Sequence, residues 1–409
     1  MRNSEFGTIF DADNHYWEAH DAFTRYRDPK FKDRGLRLVE KDGIVRYYIS
    51  DKVHPILPGP GDLHGRPVPG SLFDYFAGTA PSDPHQPSLW SERPADHPEW
   101  YNRDARLTCM DDQGIEACWL FPSHGVCIEG PMQPDIEASL HILGAFNRWI
   151  EEDWGFAYKN RIFAAPLLSL SDLDAAVRDL EWAIARGARI ITIRNGPVFT
   201  ASGMRSPADS VFDPFWARVE EAGITATVHA GFEDGYGSVD SAVGKVWNLD
   251  LEGKTKTMSV GLEDTSDFDT NLISMIQKHR LVRDFAAVLV AHGLFVRFPR
   301  LKFAFIENGG TWVASLLRDL SVAHVQHPGM FAQHPVDQFH RNCWVAPFVE
   351  DDVADLAKHI PVERILFGSD WPHAEGVGNP RDFFDNLAGF SEADKRKIML
   401  ENARELTFA

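Results

Sequence analysis

The sequence contains few cysteines, and none of them are spaced like the ligands of a thiolate metal site. Its 409 residues include four cysteines, and no two of them form a Cys-x-x-Cys pair. A disulfide-stabilised scaffold and a zinc–thiolate site are therefore not expected. We expect the thiols to be reduced.

Long apolar runs are also missing. No stretch reaches the roughly 18 consecutive apolar residues that a membrane-spanning helix needs. The N-terminal residues MRNSEFGTIFDAD contain no apolar segment typical of a secretory signal. The sequence therefore predicts a cytoplasmic protein that does not contact a membrane.

Positive charge is scarce relative to negative charge. Lys and Arg total 41 against 60 Asp and Glu, which leaves a formal net charge of −19. Such a field repels phosphate backbones, so a nucleic-acid partner is not expected. The hydrophobic fraction of 44% and the charged fraction of 25% are typical of a globular domain. We therefore look for a small-molecule substrate.

Short apolar segments alternate with amphipathic ones along most of the chain. Segments that predict strands are 8–13, 115–121, 162–168, 188–194, 224–229, 302–307, 343–346 and 365–370. Segments that predict helices are 103–113, 135–153, 171–186, 213–222, 270–291, 311–324, 350–358 and 380–405. Strands that alternate with helices indicate a parallel sheet, and eight such units predict a closed (β/α)8 TIM barrel, an α/β fold.

A barrel of this kind needs about 250 residues, so the chain has residues to spare. We predict that 1–34 start the barrel, that 35–100 form an insertion, and that 101–409 complete the barrel with a second insertion at 232–269. Asp42-Gly43 separates two alternating runs and predicts a hairpin. Both insertions would leave from the C-terminal face of the barrel. Their aromatic residues, together with Phe232, favour a bulky apolar or aromatic substrate, although packing within a lid is an alternative.

Polar residues stand where several predicted strands end. In the first strand, Asp11, Asp13 and His15 share one face because side chains alternate. His229 ends the fifth strand, Glu307 the sixth and Asp370 the eighth.

The C-terminal ends of barrel strands meet at one mouth. Three carboxylates close together repel one another, and a divalent cation would resolve that repulsion. Local alternatives are a rim position for His229, an ion pair of Glu307 with Arg194, and a turn role for Asp370.

Three motifs carry a family resemblance: DADNH at 11–15, GLFVRFPRLKFAFIENGG at 293–310, and FGSDWPH at 367–373. The chain resembles the amidohydrolase superfamily, in the amidohydrolase 2 branch that includes aminocarboxymuconate-semialdehyde decarboxylase. The resemblance implies a TIM barrel with one catalytic transition metal. By position it implies that Asp13, His15, His229 and Asp370 are ligands, with Asp13 in place of the His or Glu usual in the family.

The sequence departs from this pattern at Glu307, where the decarboxylases of the branch usually have a catalytic histidine. That change weakens a decarboxylase assignment and adds Glu307 to the candidate metal ligands. An oxygen-rich set of this kind suits Zn, Mn or Fe. It leaves open whether one or two divalent ions bind.

The leading prediction is metal-dependent hydrolysis of an amide, ester or thioester by activated water. Asp370 would move the proton, with Glu307 and His373 as further catalytic candidates. The candidate substrate contacts are Arg194, Phe232 and Trp371. Non-oxidative decarboxylation of an aromatic or unsaturated acid is the second prediction, and a non-catalytic metal- or ligand-binding barrel is the third. The resemblance also implies a homodimer.

Overall fold

A computed structural model describes residues 7–41, 43–49, 51–54, 59–60, 65–72, 91–133, 135–231 and 279–408. The predicted second insertion at 232–269, which includes Phe232, lies outside these residues. None of the described helices is long and apolar enough to cross a membrane.

The strands form a parallel ring. In chain order they are Ile9–Tyr16, Ile115–Pro122, Ile162–Ala164 continued by Leu167–Leu168, Ile190–Ile193, Thr225–His229, Lys302–Ile306 and Cys343–Val345. Each pairs in parallel with the next, except at the short break within the third strand and after the seventh. The predicted TIM barrel is confirmed.

The eighth predicted strand, 365–370, closes the ring without forming a regular ladder. Ile365 bridges to Val345, and Trp371 bridges to Asn14. Between these bridges the amide of Phe367 donates to the carbonyl of Ile398, in the C-terminal helical segment, instead of to a neighbouring strand. The segment therefore occupies a strand position with an irregular backbone.

Helices surround the ring. The main ones are Arg103–Gln113, Ile136–Asp153, Leu173–Ile184, Asp213–Ala222, Arg280–Ala291, Trp312–Gln326, Pro335–Asn342, Val353–Leu356 and Asn402–Phe408. The helix Pro335–Asn342 is not among those predicted. The single helix predicted over 380–405 is wrong, because a 3-10 segment, Pro380–Leu387, ends before Gly389 and a new helix starts with Ser391 as its N-cap.

The barrel interior is packed with side chains. Phe10, Trp119, Phe163, Ile190 and Ile306 belong to one fully buried apolar cluster. A larger cluster fills the space between the strands and the outer helices. The interior is therefore a solid core, as is usual for this fold, and the open positions lie at the mouth.

The described part of the first insertion contacts the mouth. Its hairpin pairs Leu36–Lys41 with Ile44–Ile49, as Asp42-Gly43 predicts. Further along, the amide of Gly70 donates to the carbonyl of His373 at 3.0 Å, and that of Leu72 donates to Ala374 at 2.8 Å. The division at 35 and 100 stays a prediction.

The buried side chain of His54 links the first insertion to the rest of the chain, and the pH dependence of stability can test this link. Its side chain is 2% exposed, and Nε2 lies 3.0 Å from the carbonyl oxygen of Cys127. Burial lowers the pKa of His54 to about 4. Because the unfolded value is about 6.5, His54 contributes its full stability above that pH, and the contribution is lost as the pH falls toward 4.

We expect the wild type to lose about 2 kcal/mol more stability than His54→Gln between pH 7.5 and pH 5.0. Glutamine keeps an N–H donor but does not titrate in this range. Urea unfolding of both proteins at the two pH values measures the difference, and metal-ion loss at low pH affects both alike. Parallel pH dependence in the two proteins would contradict the assignment.

Candidate metal centre

The first strand and the closing segment, 365–370, bring Asp13 and Asp370 together. The amides of Ser369 and Asp370 both donate to the carbonyl of Asp13, at 3.2 and 2.8 Å. A Cβ atom at Gly368 would lie 2.5 Å from the Cβ of Asp13, so this approach requires glycine. Asp11 lies behind the pair, where its carboxylate accepts the Ser369 hydroxyl at 2.5 Å. Asp11 therefore ties the two segments together.

His229 presents a nitrogen lone pair to this cluster. Its Nδ1 lies 2.7 Å from the carbonyl oxygen of Ala230, which can only accept, so Nδ1 carries the proton. The other nitrogen, Nε2, is thus an acceptor. It lies 3.2 Å from His15 Nε2, from Asp13 Oδ1 and from Glu307 Oε2.

The tautomer of His373, which faces Asp370, can be assigned in the same way as that of His229. The Ser123 hydroxyl lies 2.7 Å from the Tyr16 carbonyl oxygen and 2.7 Å from His373 Nε2. Since the carbonyl takes the hydroxyl proton, His373 donates to Ser123 through Nε2, and its Nδ1 is left with a lone pair. That atom lies 2.6 Å from Asp370 Oδ1. A proton or a cation must lie between two electron-rich atoms so close together.

Glu307 and Asp370 are held in a left-handed backbone conformation. Their φ angles are 53° and 56°, which costs a non-glycine residue on the order of 1–3 kcal/mol. Strain of this kind persists where the surrounding structure enforces it, and it concentrates at functional sites. The two carboxylates that end the sixth strand and the closing segment are therefore aimed at the mouth by the fold.

Without a cation, the surroundings of Asp13, Glu307 and Asp370 do not favour three ionised carboxylates side by side. Burial and the charge of Asp370 raise the pKa of Glu307 well above its usual range. Burial, with nearby carboxylates, does the same for the pKa of Asp370. For Asp13, burial raises the pKa, but the adjacent imidazoles of His15 and His229 outweigh it and hold the pKa below its usual range. A bound cation would allow all three groups to ionise.

The donor set fits a transition-metal ion. Two overlapping groups of ligand atoms lie within 4.8 Å of one another: Asp13, His15, His229 and Glu307, and His15, Glu307, Asp370 and His373. Metal–ligand bonds of about 2.0–2.1 Å place neighbouring ligand atoms about 3.0–3.4 Å apart. His15 Nε2 lies 3.3 Å from both Asp13 Oδ1 and Asp370 Oδ1, which matches that spacing. The cluster is thus a site able to bind a metal.

Two of the three predicted substrate contacts, Arg194 and Trp371, lie within the described residues. Arg194 lines a cavity that His229 also lines. Trp371 is 5% exposed, and its ring stacks under the guanidinium of Arg106 at 4.6 Å. Phe232 lies outside the described residues. The roles of Arg194, Phe232 and Trp371 in substrate binding stay predictions.

Ser123 and Phe121 also lie at the site, and neither is among the residues predicted from the sequence. Ser123 orients His373, and the Phe121 ring lies 4.8 Å from the ring of His229. Both residues belong to the end of the second strand, whose exit points to the same mouth. That position is the signal that could have identified them.

Comparison with known proteins agrees with this architecture. The amidohydrolase model of the Amidohydro_2 family matches residues 10–407. The crystal structure of an amidohydrolase from Mycobacterium avium subsp. paratuberculosis K-10 superimposes with a TM-score of 0.87. That protein is 39% identical, and the match covers 98% of this chain and 99% of that one.

More distant relatives are named as decarboxylases. Gamma-resorcylate decarboxylase of Rhizobium radiobacter is 24% identical over 355 residues, which are 83% of this chain and 94% of the relative. A dihydroxybenzoic acid decarboxylase of Polaromonas sp. JS666, solved with bound manganese and the inhibitor 2-nitroresorcinol, is 20% identical with a TM-score of 0.54. The match covers 82% of this chain and 93% of that one, and at this identity it shows the fold alone. The match over 10–407, together with the barrel, shows that this chain belongs to the amidohydrolase family.

Proposed function

We propose that this protein catalyses the metal-dependent, non-oxidative decarboxylation of a small aromatic acid. The observation that carries the proposal is the convergence of histidine and carboxylate donors at the barrel mouth, in a chain whose named relatives are gamma-resorcylate decarboxylases. The relatives favour this reaction over the hydrolysis that leads the sequence-based predictions.

One divalent first-row ion, Mn, Zn or Fe, would be held by Asp13, His15, His229 and Asp370. The two overlapping ligand groups share His15 and Glu307, and because the single lone pair of a neutral His15 can bind only one ion, we propose one ion per chain. Imidazole and carboxylate together suit these metals. When bound, such an ion supplies positive charge that attracts the oxygen atoms of an aromatic acid.

Asp370 is the proposed proton donor. Decarboxylation requires a new C–H bond at the ring carbon that carries the carboxylate. The C–C bond then breaks, its electron pair returns to the ring, and CO2 leaves. A proton held between Asp370 and His373, whose facing atoms are 2.6 Å apart, is placed to make that transfer. Ser123 keeps His373 in the tautomer that faces Asp370.

Hydrolysis of a carboxylic-acid derivative is the second candidate, and Glu307 is the observation that favours it. Its Oε2 lies 3.2 Å from His229 Nε2 and 3.8 Å from His15 Nε2. A carboxylate in that position can accept a proton from water as a general base. This is the position where the sequence departs from the decarboxylase pattern.

The two reactions give different products. Manganese-loaded protein is incubated with a panel of hydroxybenzoates and, separately, with their methyl esters and amides in H2(18)O. We expect CO2 and the corresponding phenol from the free acids, with chelator-treated protein inactive and activity restored by Mn2+. A free acid that carries solvent oxygen, formed without CO2 release from any member of the panel, would contradict decarboxylation and support hydrolysis.

A further inference from the structure

A buried arginine holds the end of the first strand, next to the metal centre. Arg106, in the helix Arg103–Gln113, is fully buried, and each of its three guanidinium nitrogens donates to an oxygen atom of the protein. Nη2 donates to the carbonyl of His15 at 2.6 Å, Nη1 donates to Asn14 Oδ1, and Nε donates to the carbonyl of Glu99 at 2.8 Å. Two of these acceptors belong to the last residues of the first strand, so Arg106 fixes that strand where it reaches the mouth.

His15 lacks the hydrogen bond that usually orients a histidine ligand. A histidine that binds a metal through one ring nitrogen normally donates from the other, and this bond fixes the ring. His229 follows that rule, because its Nδ1 donates to the carbonyl of Ala230. His15 Nδ1 is buried and has no hydrogen-bond partner among the described residues. The placement of the His15 ring therefore depends on its own backbone and on the rings of Phe121 and His373 that pack against it.

The backbone of His15 is held from both sides. Its amide donates to the carbonyl of Trp371 at 2.8 Å, and its carbonyl accepts from Arg106 at 2.6 Å. The central carbon of the Arg106 guanidinium also lies 4.6 Å from the centroid of the Trp371 ring. A planar guanidinium can donate in two directions and stack on an aromatic ring at the same time, which a lysine ammonium cannot do. Arg106 thus contributes to both contacts that fix the His15 backbone.

A chain of hydrogen bonds extends from Arg106 to the closing segment. Asn14 accepts from Arg106 through Oδ1 and donates through Nδ2 to Asp11 Oδ2 at 2.9 Å. Asp11 in turn accepts from the amide and from the hydroxyl of Ser369, at 2.9 and 2.5 Å. The next residue, Asp370, is a proposed ligand. The network that starts at Arg106 therefore reaches both of the segments it lies between, and each of them supplies metal ligands.

We propose that Arg106 is a positioning residue of the metal centre, whose bonds to the His15 carbonyl and to Asn14 keep the His15 ring where it can bind the ion. Because each of its nitrogens donates to the protein, Arg106 acts through His15 and not on the substrate. The inference rests on the proposed function in one respect, that His15 is a metal ligand. The alternative is that Arg106 only stabilises the packing of its helix on the first strand, and this alternative predicts normal metal binding.

The test replaces Arg106 with lysine and measures metal binding. Lysine keeps the positive charge, so the electrostatic effect on the ion changes little, but its ammonium cannot reach all three acceptors and stack on Trp371 as well. Isothermal titration of the chelator-stripped protein with Mn2+ should give an affinity about tenfold or more below that of the wild type, as for other groups that orient a metal ligand. The electron paramagnetic resonance spectrum of the bound Mn2+ should change too, because its line shape reports the arrangement of the ligands.

Arg161→Lys is the matched control. Arg161 also donates to two backbone carbonyls, those of Ile115 and Glu116, both at 2.8 Å. These residues start the second strand, at the end of the barrel opposite the mouth. Arg161→Lys should bind Mn2+ within about twofold of the wild type and give the same spectrum.

Thermal unfolding at a series of Mn2+ concentrations covers the case in which Arg106→Lys is unstable. An ion that binds only the folded state raises the unfolding temperature according to its affinity. Even a marginally stable variant therefore reports its metal affinity. We expect a smaller rise for Arg106→Lys than for the wild type at each Mn2+ concentration, and an equal rise for Arg161→Lys.

Two outcomes would overturn the inference. Wild-type Mn2+ affinity with an unchanged spectrum in Arg106→Lys would leave Arg106 a purely structural role. An equal loss of affinity in Arg161→Lys would make the effect a general consequence of destabilisation. The result is separable from the proposed reaction: if Arg106→Lys binds Mn2+ weakly while the wild type releases no CO2, the positioning role stands and the reaction is wrong. If the wild type releases CO2 and Arg106→Lys binds Mn2+ normally, the reaction stands and the positioning role is wrong.

Discussion

Replacing Asp370 with asparagine is expected to lower kcat by about 10²–10⁴-fold, the usual contribution of a positioned general acid or base. Asparagine is nearly isosteric with aspartate but cannot release a proton to the substrate. The backbone hydrogen bond from residue 370 to the Asp13 carbonyl, at 2.8 Å, does not involve the side chain and is retained. Because Asp370 is also a proposed metal ligand, the comparison is made at saturating Mn2+, where the remaining loss of kcat follows from lost proton transfer.

The measurement is steady-state CO2 release by metal-loaded protein, with metal content and thermal unfolding determined on the same samples. Asp385→Asn is the matched control, because Asp385 is an exposed carboxylate in the same C-terminal segment and should leave kcat unchanged. A fully metal-loaded, folded Asp370→Asn protein with wild-type kcat would remove Asp370 from the mechanism.

Replacing His229 with alanine is expected to lower the affinity for the metal ion by more than about 100-fold. Groups that only orient a metal ligand already contribute about 10–100-fold to affinity, and His229 offers a ligand atom directly. Its Nε2 lies 3.2 Å from His15 Nε2 and from Asp13 Oδ1. Activity should fall in step with metal content and recover partly at high Mn2+ concentration.

Metal content per chain after gel filtration, together with titration of the chelator-stripped protein with Mn2+, measures this effect. We expect about one ion per chain in the wild type and well below one in the variant. His327→Ala, at an exposed histidine, should bind metal like the wild type. Wild-type metal content in His229→Ala would place the ion elsewhere, and two ions per chain in the wild type would contradict the single-ion proposal.

Much of the candidate site could be predicted from the sequence because of how a barrel is built. Strand ends that are far apart in the chain converge at one mouth. Asp13, His15, His229, Glu307 and Asp370 were therefore selected by position alone, and the structure brings them together. His373 follows Asp370 by three residues, so its proximity is a local property of the turn.

The remaining features depend on contacts that no local pattern encodes. Ser123 orients His373 across 250 positions of the chain, and nothing in the residues around either one indicates the pairing. Asn195 and Glu129 line one cavity, although Glu129 begins a short helix after the second strand and Asn195 follows the fourth. The irregular closing segment likewise depends on a hydrogen bond from the Phe367 amide to the Ile398 carbonyl, which interrupts the strand ladder that the apolar pattern predicts.

The amino-acid sequence alone determined the alternation of strands and helices, and with it the barrel and the residues at its strand ends. These follow from periodic burial, which is a local property of the chain. Only the tertiary structure decided which nitrogen of His229 and of His373 carries the proton, and which carboxylate lies beside each of these rings. Those properties depend on distances of about 3 Å between groups from different strands, and packing alone sets such distances.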